Sequence, residues 1–115
     1  MDIKEAYLRL DSDLNDTLSR LMNEKFVIKY CKKFIDDPSF ALLKESIENK
    51  DYQTAFRAVH TLKGVSLNMG YKDLINSSIA LTEHLRNGNP LIDFSLYEKL
   101  IEDYEKTISI LKQLD

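Results

Sequence analysis

Only 3 glycines and 2 prolines occur among the 115 residues, and their scarcity constrains the fold more than any other feature. At average usage of roughly 7% Gly and 5% Pro, a chain of this length would carry about 14 of the two together. Folds with many tight turns, such as β-sandwiches and small barrels, depend on these residues, so the low count argues against them. The length suits one domain and is too short for a (β/α)₈ barrel or a two-lobed protein kinase. We therefore predict a single all-α domain over residues 1–115.

The charge balance and the absence of long apolar runs exclude several function classes. The chain has 16 basic and 19 acidic residues, a net charge of −3. Without a basic cluster it is a poor nucleic-acid binder, because phosphate neutralisation dominates that affinity. No signal peptide or transmembrane segment is visible, so we expect a cytoplasmic protein that binds no membrane. The lone cysteine, Cys31, cannot form an internal disulfide and is expected to pack as a small apolar side chain.

Apolar residues recur every three or four positions along most of the chain, which predicts five or six helices. A short helix from about Ile3 to Leu10 precedes a second that reaches Met22, and a third covers residues 24–36. At Asp37-Pro38, either a new helix begins with Pro at its first position or one long helix is kinked. We favour a kink or a very short break, because the apolar pattern resumes at once and continues over residues 40–47.

Three further helices follow, each bounded by local signals. Asp51 is a good N-cap for a helix over residues 52–69, and Gly70 is suited to the left-handed position that ends it. The next helix carries its apolar stripe over residues 74–85 and stops at residues 87–90, whose sequence Asn-Gly-Asn-Pro is the strongest stop signal in the chain. The last helix shows a regular seam over residues 94–111. This seam predicts near-antiparallel packing, hence an up-and-down four-helix bundle over residues 24–114 with residues 1–22 as an accessory helical cap.

The helix over residues 52–69 carries an unusual outward face. On a helical wheel at about 100° per residue, the predicted buried stripe lies opposite His60 and consists of Ala58, Leu62, Val65 and Met69. His60 is therefore expected to point to solvent from the middle of the helix. Around it the wheel places two large apolar side chains, two cations and a glycine: Phe56, Leu67, Arg57, Lys63 and Gly64. Each feature alone is ordinary, but a glycine inside a helix costs roughly 0.5–1 kcal/mol relative to alanine, and this one lies one turn from the histidine.

These residues resemble the signature of histidine-containing phosphotransfer (HPt) domains. The match is carried by residues 60–64, His-Thr-Leu-Lys-Gly, followed by Asn-Met-Gly at residues 68–70. It extends from about Phe34 to Gly88 and includes Ala58, Leu74, Leu81 and the closing Arg-Asn-Gly at residues 86–88. The family is known for four-helix bundles in which the histidine is exposed in the middle of a helix, which agrees with the wheel.

The resemblance implies a phosphorelay carrier in two-component signal transduction, without catalytic activity of its own. His60 would accept a phosphoryl group, at Nε2, from the aspartate of a response-regulator receiver domain and pass it to another receiver. Lys63 would stabilise the phosphoryl oxygens, and Gly64 would let the receiver approach. Phe56 and Leu67 would belong to the docking patch, with Arg57 on its polar rim. The expected partners are receiver domains and a hybrid sensor histidine kinase. Mg²⁺ would come from the receiver, so we expect no cofactor or metal site in this chain, which is expected to be a monomer.

Two positions depart from the family pattern. Family members often carry Glu or Gln twenty-two residues after the histidine, where it orients the imidazole; here that position is Thr82, which is shorter and is expected to reach the ring only through water. Leu67 stands where a smaller residue is usual. The other histidine, His84, lacks the Lys-Gly pair and is expected to be an exposed residue near a helix C-terminus, where a positive charge is mildly favoured.

Two alternatives stay open at the level of sequence. One alternative to the phosphorelay carrier is a helical interaction module that binds a partner without phosphorylation, and the other is the detached HPt domain of a hybrid sensor kinase. The start at Met1 favours a free-standing protein over the second alternative.

Overall fold

The computed structural model describes all residues, Met1–Asp115, and contains helices but no strand. The α-helices are α1 (Ile3–Arg9), α2 (Leu14–Leu21), α3 (Glu24–Ile35), α4 (Ser39–Glu48), α5 (Tyr52–Met69), α6 (Lys72–His84) and α7 (Phe94–Leu111), with a short 3₁₀ turn at Arg86–Gly88. The all-α prediction is confirmed, although seven α-helices exceed the expected five or six. None of them combines the length and the apolar character needed to cross a membrane.

Local capping residues explain where most of the helices begin. Five helices start behind an Asp or Asn whose side chain accepts a backbone N–H of the first turn: Asp2, Asp13, Asn23, Asp51 and Asp93. Such caps satisfy amide groups that have no partner inside the helix. The predicted N-cap at Asp51 is confirmed, as is the left-handed end of α5 at Gly70, where φ is 74°.

The segment around Pro38 is a short break between two helices. The N–H groups of Asp36 and Asp37 bond to the carbonyl oxygens of Lys33 and Phe34 at 3.1 Å, in a tighter turn than the α-helix. Pro38 has no N–H to continue the pattern, and α4 starts one residue later. The break separates α3 from α4, which is why the helix count exceeds the prediction.

The helices α4 to α7 pack side by side in chain order, and both α3 and α4 reach α7. Tyr104 of α7 contacts both of them: its ring lies 5.9 Å from that of Phe34 and is stacked at 3.9 Å on that of Phe40. The interior is filled by apolar side chains from every bundle helix, among them Val27, Leu43, Val59, Leu62, Leu74, Leu81 and Leu100. This arrangement is the predicted four-helix bundle, with α3 and α4 together on one side.

The first two helices pack against the C-terminal end of α5. The hydroxyl groups of Tyr7 in α1 and Thr17 in α2 both donate to the carbonyl oxygen of Met69, at 2.7 and 2.8 Å. Both side chains are buried. The C-terminal end of α5 is therefore fixed by α1 and α2, whereas its middle packs against the other bundle helices.

The buried stripe of α5 is rotated from the one predicted. Its buried residues are Ala55, Ala58, Val59, Leu62, Ser66 and Met69, so its centre lies about 40° from the predicted direction on the wheel. Val65, which was expected in the stripe, is only half-buried. The reason is that α3 covers this side of α5 incompletely and leaves a cavity of about 240 Å³, lined by Val65 together with Tyr30 and Lys33.

Candidate functional site

His60 lies near the middle of α5 with its side chain exposed, as the wheel predicts. Neither ring nitrogen makes a hydrogen bond within the protein. The imidazole lies over the ring of Phe56, one turn earlier in α5, with ring centroids 6.0 Å apart and planes inclined by 21°. A packed ring with two unpartnered nitrogens is accessible for chemistry at either nitrogen.

The relative position of α5 and α6 decides which residues surround His60. Leu67 of α5 and Ile75 of α6 line the same groove, and Gln53 lies against Gly88 just beyond α6. Because the two helices are antiparallel, the residue numbers rise along α5 while those of the facing residues in α6 fall. His60 is therefore level with the end of α6, around residues 82–83, and Lys63 is level with Ile79.

Lys63 is half-buried at the boundary between α5 and α6 and makes no ion pair. Side chains of a helix lean toward its N-terminus, so the Lys63 ammonium group is carried back toward the level of His60 and Glu83. The pKa of Glu83 is lowered, chiefly by its hydrogen bond from Arg86 and further by the positive charges of Arg86 and Lys63. An unpaired cation thus lies on the same face as the exposed histidine, one turn along the helix.

Gly64 is exposed and has open space where a side chain would begin. A Cβ atom built on it meets no other atom within 4 Å. Packing within this chain therefore does not require glycine here, although glycine weakens the helix. The free volume beside His60 is available to a molecule that approaches from outside.

Thr82, the candidate for orienting the imidazole, makes no hydrogen bond with His60. Its side chain is 1% exposed, and its hydroxyl group donates to the carbonyl oxygen of Ser78 at 2.6 Å, within its own helix. Glu83, the next residue, is held by Arg86. The one aromatic neighbour of the imidazole is the ring of Phe56.

The predicted docking residues lie on the face of His60 but differ in exposure. Leu67 is 46% exposed and Phe56 is half-buried, while Arg57 is exposed and donates to the hydroxyl oxygen of Thr54 at 3.2 Å.

Two apolar residues of α6 extend this face and were not identified from the sequence. Ile75 lines the groove of about 480 Å³ that it shares with Leu67, and Ile79, which is 41% exposed, lies one turn further toward His60. Their spacing of four residues, off the buried stripe of α6, was the available sequence signal.

His84 is a structural residue, and the expectation of an exposed side chain is wrong. It is half-buried, and its Nε2 accepts the backbone N–H groups of Ile92 and Asp93 at 3.0 and 3.3 Å. These contacts tie the connection that precedes α7 to the end of α6. They exist because the connection to α7 folds back over the end of α6, which helical periodicity does not reveal.

The candidate site therefore combines an exposed histidine, an unpaired lysine and an open glycine with an apolar rim on two adjacent helices. The apolar rim consists of the side chains of Phe56, Leu67, Ile75 and Ile79. No group of three or more His, Cys, Asp or Glu side chains that could hold a metal ion is present.

A family model described as the Hpt domain matches residues 37–111, which include all seven residues predicted for the site. Comparison with curated proteins gave no match, and neither did comparison with solved structures. The family model covers well over half of the chain and coincides with the bundle helices α4 to α7, and on this evidence the chain belongs to the Hpt domain family.

Proposed function

We propose that this chain is a phosphorelay carrier of two-component signal transduction. His60 accepts a phosphoryl group from the phospho-aspartate of a response-regulator receiver domain and passes it to the aspartate of another receiver. The observation that carries the proposal is the exposed, unpartnered imidazole in the middle of a bundle helix, with an unpaired lysine one turn away. Membership of the Hpt family supports it, because these domains are phosphotransfer carriers.

The transfer needs few groups from this chain. With its hydrogen on Nδ1, the neutral imidazole attacks phosphorus through the Nε2 lone pair. The new Nε2–P bond forms as the bond from phosphorus to the aspartate oxygen breaks, and the electron pair leaves with the aspartate carboxylate. No proton has to move during this step, and the reverse step regenerates the neutral imidazole.

Lys63 and Gly64 have complementary roles in this proposal. The Lys63 ammonium group places a positive charge beside the oxygens of the transferring group, where phosphoryl transfer gains most from electrostatic stabilisation. The open space at Gly64 lets the receiver active site approach the imidazole. The receiver supplies Mg²⁺ and the acceptor aspartate, so the carrier contributes no cofactor and is not an enzyme by itself.

The apolar rim is the docking surface for the receiver. The surface consists of the exposed Leu67 and Ile79 and the half-buried Phe56 and Ile75, on the adjacent helices α5 and α6, with Arg57 at its polar edge. Exposed apolar side chains grouped beside polar ones are typical of protein interaction sites. The patch lies next to His60, so a receiver seated on it presents its aspartate to the imidazole. A hybrid sensor histidine kinase is the source of phosphoryl groups for such receivers.

Transfer from labelled receivers tests the proposal. A panel of receiver domains is charged with ³²P-acetyl phosphate, freed of the donor and mixed with the wild-type chain or with His60→Gln. We expect acid-labile, alkali-stable label on the wild type and none on His60→Gln, in which His84 is still present as an internal control. A folded wild type that takes no label from any receiver would refute the carrier function and favour an interaction module without phosphorylation.

A further inference from the structure

An ion pair at the end of α6 borders the site of His60. Arg86 holds Glu83 through two contacts: its Nε donates to Oε2 at 3.2 Å, and its Nη2 makes a closer contact with Oε1. Both side chains are about half exposed, at 57% for Glu83 and 51% for Arg86. A guanidinium group matches the two oxygens of a carboxylate in this way, so Arg86 contacts both oxygens of Glu83.

The same carboxylate lies within the range of Lys63. The register of α5 and α6 puts Glu83 level with His60, and the Lys63 side chain leans back toward that level. The positive charge of Lys63 contributes to the lowered pKa of Glu83, after the hydrogen bond and charge of Arg86. Lys63 nevertheless makes no ion pair with Glu83, whose partner is Arg86.

A free carboxylate at this position would oppose the phosphorylated state of His60. It would compete with the phosphoryl oxygens for the Lys63 ammonium group, and its negative charge would repel theirs. We propose that Arg86 is a positioning residue that, by holding Glu83 in a two-point ion pair, keeps Lys63 free for the phosphoryl group on His60. This inference rests on the proposed carrier function, because it concerns the phosphorylated histidine.

The size of the effect follows from the exposure of the pair. Surface ion pairs are weak. Competition between Glu83 and the phosphoryl oxygens for Lys63, which Arg86 suppresses, therefore corresponds to a change of about two- to fivefold in an equilibrium or rate. We therefore expect a shortened lifetime of phosphohistidine in Arg86→Gln, and no loss of phosphorylation altogether.

The lifetime can be measured without a receiver. His60 is phosphorylated chemically with potassium phosphoramidate, the reagent is removed, and the phosphohistidine signal is followed by ³¹P NMR in the wild type, Arg86→Gln, Glu83→Gln and the double variant. Arg86→Gln should decay about two to five times faster, whereas the double variant should return to the wild-type rate. The matched control is Arg9→Gln, which breaks the equally exposed Arg9–Glu5 pair on α1 and should leave the lifetime unchanged.

The double variant separates this role from the alternatives. Equal decay in Arg86→Gln and wild type would overturn the inference, and so would equally fast decay in Arg86→Gln and the double variant, because Arg86 would then contact the phosphoryl group itself. High salt should reduce the difference between Arg86→Gln and the wild type, which a purely structural defect would not show. A wild type that receives no phosphoryl group from receivers refutes the carrier function; one that does, with an unchanged Arg86→Gln lifetime, refutes only this inference.

Discussion

Replacing Gly64 by alanine separates the cost of a glycine to the helix from its benefit to the site. A Cβ atom at this position meets nothing within 4 Å, so the substitution introduces no clash in the chain. Alanine is favoured over glycine inside a helix by about 0.5–1 kcal/mol. We therefore expect Gly64→Ala to be more stable than the wild type by about this amount, which raises Tm by about 2–6 °C for a domain of this size.

The same substitution should slow phosphoryl transfer. The added methyl group and its hydrogens occupy the space through which a receiver reaches His60, so the rate of transfer from a phosphorylated receiver should fall about tenfold or more, since a misplacement of 1 Å can cost about a hundredfold. Stability is measured by equilibrium urea denaturation, and transfer by rapid-quench sampling with labelled receiver.

The matched control is Gly70→Ala at the end of the same helix. There φ is 74°, and a Cβ atom would lie 2.5 Å from the Thr17 hydroxyl oxygen, so alanine should destabilise the chain by about 1–2 kcal/mol. A Gly64→Ala variant that is less stable than the wild type would show that the fold requires this glycine. One that is more stable but transfers at the wild-type rate would refute its role in access to the imidazole.

Three further substitutions test other parts of the structure. Lys63→Ala should shorten the phosphohistidine lifetime and change stability by less than about 0.5 kcal/mol, because its ammonium group makes no ion pair; a large fall in Tm would show that Lys63 is structural. Leu62→Ala should destabilise the chain by about 2–5 kcal/mol in urea denaturation, because Leu62 is fully buried. The Thr54 hydroxyl and backbone N–H lower the pKa of Asp51, so its stabilising effect is present above about pH 4 and is lost as the pH falls through the lowered pKa of the folded state. Asp51→Ala should thus be less stable than wild type at pH 7, and the gap in Tm should shrink toward pH 3.

The features predicted correctly from the sequence depend on local interactions. The start of α5 is set by the Asp51 cap and its end by Gly70, and both signals lie within one turn of the helix end that they fix. The exposure of His60 follows from the apolar periodicity of the same helix. A rotation of the stripe by about 40° left that prediction intact, because His60 lies far from either edge of the buried face.

The features that were missed depend on how helices lie against one another. Val65 is half-buried because of the partial cover that α3 provides, and Ile79 belongs to the site only through the register of α6 against α5. His84 caps backbone amides eight and nine residues away, in a connection whose path no helical pattern specifies. Periodicity gives the face that a residue occupies on its own helix, and it contains no information on which neighbour completes that face.

The weakness of the contacts around His60 fits the role proposed for it. A carrier must release its phosphoryl group to a second receiver. Any interaction that strongly stabilises phosphohistidine therefore raises the barrier to that release. Lys63 is partly exposed, and the imidazole lies beside the Phe56 ring without a hydrogen bond to either nitrogen. Exposed charge pairs contribute at most about 1 kcal/mol, or roughly a fivefold change in an equilibrium constant. A site built from such contacts leaves the direction of transfer to be decided by the receivers and their phosphorylation levels, which is what a reversible carrier requires.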